Sequence, residues 1–328
     1  MDFLEIAKKL AYAIYFFILT TCIFTWAFAA SSRDTFFDRS FYTGFLGSNN
    51  VYGTLEGALA SVAAPVLLPG ATASDQLLLV AKLKETVPAS YFKGQVDNAI
   101  FACLDYVSGA KQNLGLRLEI APIKQSVADA AMDAYIKSNK LNMSDPSDQR
   151  KAALEQSAIL QVIPDSIDKS AFSSSPEFTS SYSSLESALT NARSSASSLN
   201  LLIDALAAAT LLLVLLLAAA LHDAHEFLSK LAMPVASTGF FLILGSIIAP
   251  QVALQTVPGL LAAYSVPPQA ALLISAFMAS LFAAMFGRLQ IFGAITMFCG
   301  IAAYLLSKYV FKKKAIAAAA GTGAITKQ

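Results

Sequence analysis

Apolar residues dominate several long segments of the chain, and one extended polar stretch separates them. Leu10–Ala30 and Leu201–Leu221 are each 21 residues long, about the length that a helix needs to cross the hydrocarbon core of a bilayer. Leu231–Pro250 is a third segment of this kind. The pattern predicts an all-α membrane protein in which residues 31–200 fold outside the bilayer, between the first and second spans.

The remaining apolar sequence allows either one or two further spans. Gln269–Gly287 and Ile291–Phe311 are both long and apolar, and Arg288 separates them. Counting both gives five transmembrane helices, whereas counting one gives four and keeps the lysines at 312–314 in the cytoplasm, so we favour four. Residues 251–287 are then expected to lie outside the membrane or on its surface, as irregular or re-entrant backbone. Four prolines support this expectation: Pro250, Pro258, Pro267 and Pro268.

Lysines beside the first span predict its orientation. Lys8 and Lys9 precede it, so the N-terminus is expected in the cytoplasm and residues 31–200 outside, in a multi-pass protein of the cell membrane. A cleaved signal peptide is the alternative, because Ala27-Phe28-Ala29 has the small-x-small pattern of a cleavage site. The apolar segment is longer than a usual signal sequence, and we therefore favour a retained anchor over residues 1–30.

The polar stretch has the periodicity of a mainly helical domain over residues 31–175. Predicted helices begin near residues 51, 76, 88, 122 and 146, from periodic apolar positions and from turn and cap residues. Asp145 is a predicted N-cap, and Gly109 is expected to end the third helix. Residues 114–120 alternate as in a short strand. We expect at most a minor strand pair.

A serine-rich segment follows, and its periodicity is that of a helix rather than a flexible linker. Residues 170–200 contain 13 serines, yet apolar residues recur every three or four positions. These seam residues are Phe178, Tyr182, Leu185, Leu189, Ala192, Ala196 and Leu199. The sequence predicts a stalk helix over 176–221 that continues into the second span. Its seam packs on the domain's own helices or contacts a partner protein or a second copy, with Phe178, Tyr182, Leu185 and Leu189 as candidate contacts.

Composition and charge support this division. The chain is 56% hydrophobic and 14% charged, against about 25% charged residues in a typical soluble domain. The formal net charge is +1, which gives no excess of positive charge for nucleic acid. Residues 222–314 are expected to form the membrane domain with the remaining spans, and residues 315–328 a mobile tail.

Candidate chemistry is sparse. Asp204 lies about one turn inside the second span, where a carboxylate marks either an ion pathway or, as we favour, the membrane interface. His222, His225 and Glu226 share a helix face, but the spacing is that of a solvated connector rather than a zinc motif. Cys103 is expected to be a buried thiol. We predict no catalytic residue and no cofactor.

Two short stretches carry a resemblance to a known type of protein. Asn50-Val51-Tyr52 opens a helix, and Leu116-Arg-Leu-Glu-Ile-Ala-Pro-Ile-Lys124 passes from strand to helix. With the anchor and three later apolar segments, the chain resembles uncharacterised prokaryotic multi-pass envelope proteins that have an N-terminal anchor and a helical extracytoplasmic domain. The resemblance implies that architecture and no functional residues.

The function expected from these features is non-enzymatic. We expect an accessory or scaffold subunit that packs in a membrane assembly and presents its outer domain, with the bilayer and a protein partner or second copy as its contacts. Small residues such as Ala207–Ala209, Ala218–Ala220, Gly293 and Gly300 allow close helix approach in lipid. A ligand sensor acting through the stalk helix and a small transporter or channel are the alternatives.

Overall fold

A computed structural model describes residues 3–48, 51–53, 87–168, 176–221, 223–263 and 268–311, together with residues 77, 80, 81 and 85. Most of the helices predicted near residues 51 and 76, the lysines at 312–314 and the tail over 315–328 lie outside the described residues. In the described part the chain is nearly all helical, as predicted. Among the described residues, four helices are long and apolar enough to cross a membrane: Glu5–Phe36, Tyr182–Ala220, Ala224–Gly259 and Ala271–Tyr309.

The elements follow one another in a simple order. The helices are α1 (Phe3–Phe36), α2 (Arg39–Ser48), α3 (Ala89–Val107), α4 (Lys124–Ser138), α5 (Pro146–Val162), α6 (Pro176–Ala220), α7 (Ala224–Ala263) and α8 (Pro268–Leu306). Two short strands are β1 (Leu118–Glu119) and β2 (Ser166–Ile167). A 3-10 turn, Ala121–Ile123, precedes α4, and a π-helical turn, Ser307–Phe311, follows α8.

The chain divides into two compact units. The first consists of Met1–Asp38 and Ser198–Gln328, and the second of Arg39–Ser197. Helix α1 continues beyond Ala30 to Phe36, and residues 176–197 of α6 group with the second unit rather than with the span that they enter.

In the first unit, α7 and α8 pack side by side with almost no space between their backbones. A β-carbon built on Gly239 would lie 2.5 Å from the carbonyl oxygen of Gly293, and one built on Gly300 would lie 2.7 Å from the Cα of Ala236. Small residues permit this approach, which is a common way for helices to associate in lipid, where no hydrophobic force drives them together. The two helices therefore form an antiparallel hairpin, with residue 236 level with residue 300.

Helix α1 packs against this hairpin through large apolar side chains. Ala27 joins a buried cluster with Leu242, Met285, Phe286 and Leu289. The Trp26 ring meets the Phe292 ring edge to face at 5.9 Å, a favourable geometry for two aromatic rings. Nearer the N-terminus, the Tyr12 hydroxyl donates to the Lys230 carbonyl at 2.8 Å. Contacts along the length of α1 thus fix its axial position beside α7 and α8.

The expectation of irregular backbone over residues 251–287 is wrong. Helix α7 continues through Pro250 and Pro258 to Ala263, and α8 is helical from Pro268 onward. Proline interrupts a helix mainly by removing one hydrogen bond, and a helix packed against neighbours in an apolar setting tolerates this loss. The two apolar segments that flank Arg288 form one helix. The number of candidate spans is therefore four because these segments are continuous, and not because the first of them lies outside the membrane.

The sequence pattern placed Arg288 between two apolar segments. In the structure it lies within α8. Its guanidinium pairs with the carboxylate of Asp38, which follows the end of α1. Both side chains keep some solvent exposure. A charged residue in the interior of a long apolar helix needs such a partner, and the pair gives Arg288 one at the position where the chain leaves the first unit.

The second unit has its own core of aliphatic side chains from α3, α4, α5 and the segments beside the two strands. Val127, Ile120, Ile163 and Ile167 are each at most 1% exposed. The predicted N-cap is confirmed, since the Asp145 carboxylate accepts the N–H of Ser147 at 2.8 Å. The minor strand pair is also confirmed: β1 and β2 pair antiparallel, with Leu118 opposite Ile167.

The glycine contacts predict that alanine destabilises the protein at glycines that face the neighbouring helix, and does not destabilise it at a glycine that faces open space. Replacing Gly239 or Gly300 by alanine drives a methyl group into the backbone of the facing helix, and we expect a loss of about 2–3 kcal/mol in the free energy of unfolding. Gly245 has nothing within 4 Å of a built β-carbon, so Gly245→Ala should be neutral or stabilise the helix by about 0.5–1 kcal/mol. Unfolding of the full chain in detergent micelles measures all three. Equal effects at the three glycines would contradict the packing described.

A second prediction concerns the ion pair. Arg288→Met should destabilise the full chain by about 1–2 kcal/mol, because the partner carboxylate loses its counter-charge in a partly solvated site. The swap Asp38→Arg with Arg288→Asp should recover part of the loss. Lys9→Met is the matched control, since Lys9 and Glu5 form an exposed pair within one helix that contributes about 0.3–0.5 kcal/mol. Chemical denaturation in micelles gives the values, and the same loss in both methionine variants would show that Arg288 needs no partner.

Candidate functional site

The C-terminal end of α3 gathers charged side chains from the second unit. The Asp105 carboxylate accepts a hydrogen bond from the Arg39 guanidinium at 2.5 Å and lies 3.4 Å from the Lys111 ammonium. The Arg39 guanidinium also lies over the Phe101 ring, 4.9 Å from its centroid, where a cation is attracted by the ring's electron density. Asp105 and Phe101 thus hold the first residue of this unit against α3.

The serine-rich helix α6 meets the same end of α3. The Arg193 guanidinium donates to the Lys111 carbonyl and to the Gln112 side chain, both at 3.2 Å, and lies over the Tyr106 ring at 5.1 Å. The Tyr106 hydroxyl is hydrogen-bonded to Thr190 at 2.9 Å. We call these residues the junction cluster: Arg39, Asp105, Tyr106, Lys111, Gln112, Thr190 and Arg193.

Local sequence explains why the chain turns here. Gly109 has φ +84°, a left-handed conformation that glycine adopts without steric cost and that commonly ends a helix. The Lys111 N–H then bonds back to the Asp105 carbonyl at 3.0 Å. This turn brings the carbonyl of Lys111 and the amide of Gln112 within reach of Arg193. The predicted end of the helix at Gly109 is confirmed.

The junction cluster lies where the chain enters and leaves the second unit. Arg39 is the first residue of that unit, and Arg193 lies four residues before its last, Ser197. Both cations are held by the end of one helix. The end of α3 therefore contacts a residue near each end of the second unit.

Sequence reasoning did not single out these residues. A signal was present: Arg193 is the only basic residue between Ser170 and Asn200. A lone cation in a serine-rich helix has few partners on its own element, which favours a contact with another one. The identity of that contact could not be read from the sequence, because Tyr106 and Gln112 are some 80 positions away along the chain.

The predicted seam of α6 is only partly the face that packs. Tyr182 and Leu189 are half-buried and Ala196 is buried, whereas Leu185 is 41% exposed and Ala192 is exposed. The inward positions are 182, 186, 189, 193 and 196, so Glu186 and Arg193 replace Leu185 and Ala192 on that face. The side chain of Phe178 lies outside the described residues. A partner contact at these positions stays a prediction.

The residues considered for chemistry are scattered. Asp204 is exposed on α6, and an interfacial role for it stays a prediction. Burial raises the pKa of the Cys103 thiol, which disfavours the thiolate that a nucleophile needs. Burial and a hydrogen bond to Asp97 raise the pKa of Tyr52 to about 12. His222 lies outside the described residues, and within them no three His, Cys, Asp or Glu side chains form a metal-binding group.

A variant at Arg193 tests the junction cluster. Arg193→Ala removes two hydrogen bonds and a ring contact, so amide hydrogen exchange over residues 109–112 and 190–197 should accelerate about fivefold, as for a loss of about 1 kcal/mol in local stability. Ser187→Ala on the same helix is the control, because Ser187 is exposed. Mass spectrometry of peptides from the full chain measures exchange. Unchanged exchange rates in the Arg193 variant would show that its contacts do not stabilise these two segments.

Comparison with protein-family models, with curated proteins and with solved structures finds no match to this chain. Its function is therefore argued from the geometry of its own residues. Two features stand out: the junction cluster in the second unit, and the long apolar helices in the first.

Proposed function

We propose that this protein is an accessory or scaffold subunit of a membrane assembly, with residues 31–200 outside the cytoplasm. The observation that carries the proposal is the apolar half of α6. Only 11% of the residues in the most apolar part of α6 are buried, against 33% in that of α7. The exposed leucines are Leu201, Leu202, Leu211, Leu212, Leu215 and Leu216. A span that offers most of its surface to its surroundings suits contact with lipid and with the helices of another subunit.

The packing of α7 and α8 supports the same proposal over transport. Three buried hydroxyls in α7 and the turn after α8 bond to backbone carbonyls: Thr238 to Pro234, Ser246 to Ile243 and Ser307 to His225. The glycine contacts bring α7 and α8 together at their backbones. A transporter places polar groups around a cavity near the bilayer midplane, and these hydroxyls are turned towards backbone instead.

Mild-detergent purification followed by native mass determination tests the proposal. The account predicts a stoichiometric second chain, and Leu211→Ala with Leu215→Ala should lower its recovery at least tenfold, because truncating central contacts dominates the loss of binding energy. Leu10→Ala is the control, since Leu10 is equally exposed on α1. A protein that purifies alone, as a single copy and with its thermal transition intact, would overturn the proposal.

A ligand sensor is the second candidate, and the junction cluster favours it. Because Asp105 contacts Arg39 and Tyr106 contacts Arg193, a ligand that moved α3 would displace residues near both ends of the second unit together. Recovery of the second chain from the Arg193→Ala variant separates the two functions. If the protein is a scaffold, the Arg193→Ala variant should bind the second chain as the unchanged protein does, because Arg193 lies well before the apolar half of α6. If it is a sensor, the variant should bind the second chain differently.

A further inference from the structure

Tyr12 on α1 and Lys230 on α7 meet at the end of the first unit where α7 begins. The Tyr12 hydroxyl donates to the Lys230 carbonyl at 2.8 Å, and the Lys230 ammonium lies over the Tyr12 ring, 4.4 Å from its centroid. The Tyr15 ring stacks on the Tyr12 ring, with the centroids 6.4 Å apart. A hydrogen bond, a stacked ring and a cation–π contact thus hold the ring and the ammonium in one arrangement.

The Lys230 ammonium has no acidic partner in the part of the chain that the structure describes. No carboxylate oxygen there comes within 4 Å of it, although Glu226 lies one turn earlier on α7. The Asp223 carboxylate accepts the N–H of His225 at 3.0 Å, at the start of the same helix. The positive charge of Lys230 is therefore shared only with the electrons of an aromatic ring.

Lys8 supplies a second ammonium beside the same ring. It lies one turn before Tyr12 on α1, and side chains in a helix lean towards its N-terminus, so the ring lies over the turn that carries Lys8. Lys8 is exposed and, among the described residues, also has no carboxylate within 4 Å. Lys9 differs, because it pairs with Glu5 at 2.8 Å. Two ammonium groups without a counter-charge, one on each helix, therefore lie near the Tyr12 ring.

Apolar surface adjoins this pair of lysines. Exposed apolar side chains occur within about one turn of the contact on both helices: Leu10 and Ile14 on α1, and Met233 on α7. The two helices run in the same direction, since Tyr12 meets Lys230 and Ala27 clusters with Leu242. Helices this long and apolar suit contact with a lipid bilayer. Acyl chains that lie along them place their headgroup at the end that holds both lysines.

The chemistry of the contact selects the charge of that headgroup. An open tyrosine ring attracts the quaternary ammonium of choline, but Lys230 already covers one face of Tyr12 and repels a second cation. Lysine binds phosphate as a point charge. A lipid phosphate without a cation of its own therefore fits the two ammonium groups better than a zwitterionic headgroup does.

We propose that Lys8, Tyr12 and Lys230 bind the phosphate of an anionic phospholipid. Tyr12 positions the Lys230 ammonium, Lys8 adds the second positive charge, and the acyl chains follow the exposed apolar side chains of α1 and α7. Basic groups between membrane helices are a recurrent binding place for anionic headgroups. This interaction needs no second protein chain, so it goes beyond the scaffold role and stands or falls independently of it.

Native mass spectrometry of the full chain in mild detergent tests the proposal by titration with phosphatidylglycerol and with phosphatidylcholine. We expect the first phosphatidylglycerol to bind about tenfold more tightly than phosphatidylcholine, and Lys230→Gln to weaken it about fivefold, the effect of one lysine at an anionic lipid surface. Lys9→Gln is the matched control, because it removes the same charge at the same end of α1 but from a residue that Glu5 already neutralises. Its effect should stay under about twofold. Equal affinity for both lipids, or equal weakening by both variants, would overturn the proposal, since the general charge of this end would then explain the binding.

Thermal unfolding of the same samples gives a second measurement and separates a lipid from a free anion. Phosphatidylglycerol at about ten times its Kd should raise the Tm of the unchanged protein by about 2 °C, because it binds only the folded state. Lys230→Arg keeps the charge and should keep the rise, whereas Lys230→Gln should show less than half of it. Inorganic phosphate at the same concentration should give no rise, because it has no acyl chains to contact α1 and α7. A full rise with inorganic phosphate, or with lipid in the Lys230→Gln variant, would contradict the proposal.

Discussion

The distribution of charge along α7 and α8 is the constraint on which the first unit depends. Two helices of about forty residues each carry one internal charge, Arg288, and it is paired with Asp38. The other acidic and basic residues of α7, Glu226 and Lys230, lie in its first two turns. Because a charge inside a long apolar helix needs a partner, Asp38 is what allows Arg288 to lie at the middle of α8. The glycine contacts between α7 and α8 then fix the register of the two helices.

Much of this arrangement could be predicted from the sequence. The apolar segments, the helix through the serine-rich stretch and the turn residues Gly109 and Asp145 all act locally, through hydrophobic length, periodicity and capping. Local signals failed where a distant partner decides the outcome. Pro250 and Pro258 looked like helix breakers because their stabilising neighbour, α8, follows them in the chain. Arg288 looked like a boundary between segments because Asp38 is 250 positions away.

The packed face of α6 is a second case in which a distant partner could not be predicted from the local sequence. The hydrophobic seam placed Leu185 and Ala192 inward, but the packed face is rotated so that Glu186 and Arg193 take those positions. On this face Arg193 contacts Tyr106, Lys111 and Gln112. An aliphatic pattern reports which residues avoid water, whereas a guanidinium with several acceptors can decide the rotation of a helix. Periodicity alone therefore could not predict the junction cluster.

Labelling of single cysteines tests most directly whether α7 and α8 cross the membrane. With Cys22, Cys103 and Cys299 replaced by serine, one cysteine at a time is introduced at an exposed position, and the protein in permeabilised liposomes is treated with a water-soluble maleimide. The account predicts protection at Phe240 and Ile295, which are exposed on the apolar helices α7 and α8, and rapid labelling at Leu154, which is exposed in the second unit. Labelling of Phe240 and Ile295 as fast as that of Leu154 would contradict it, because these helices would then face water.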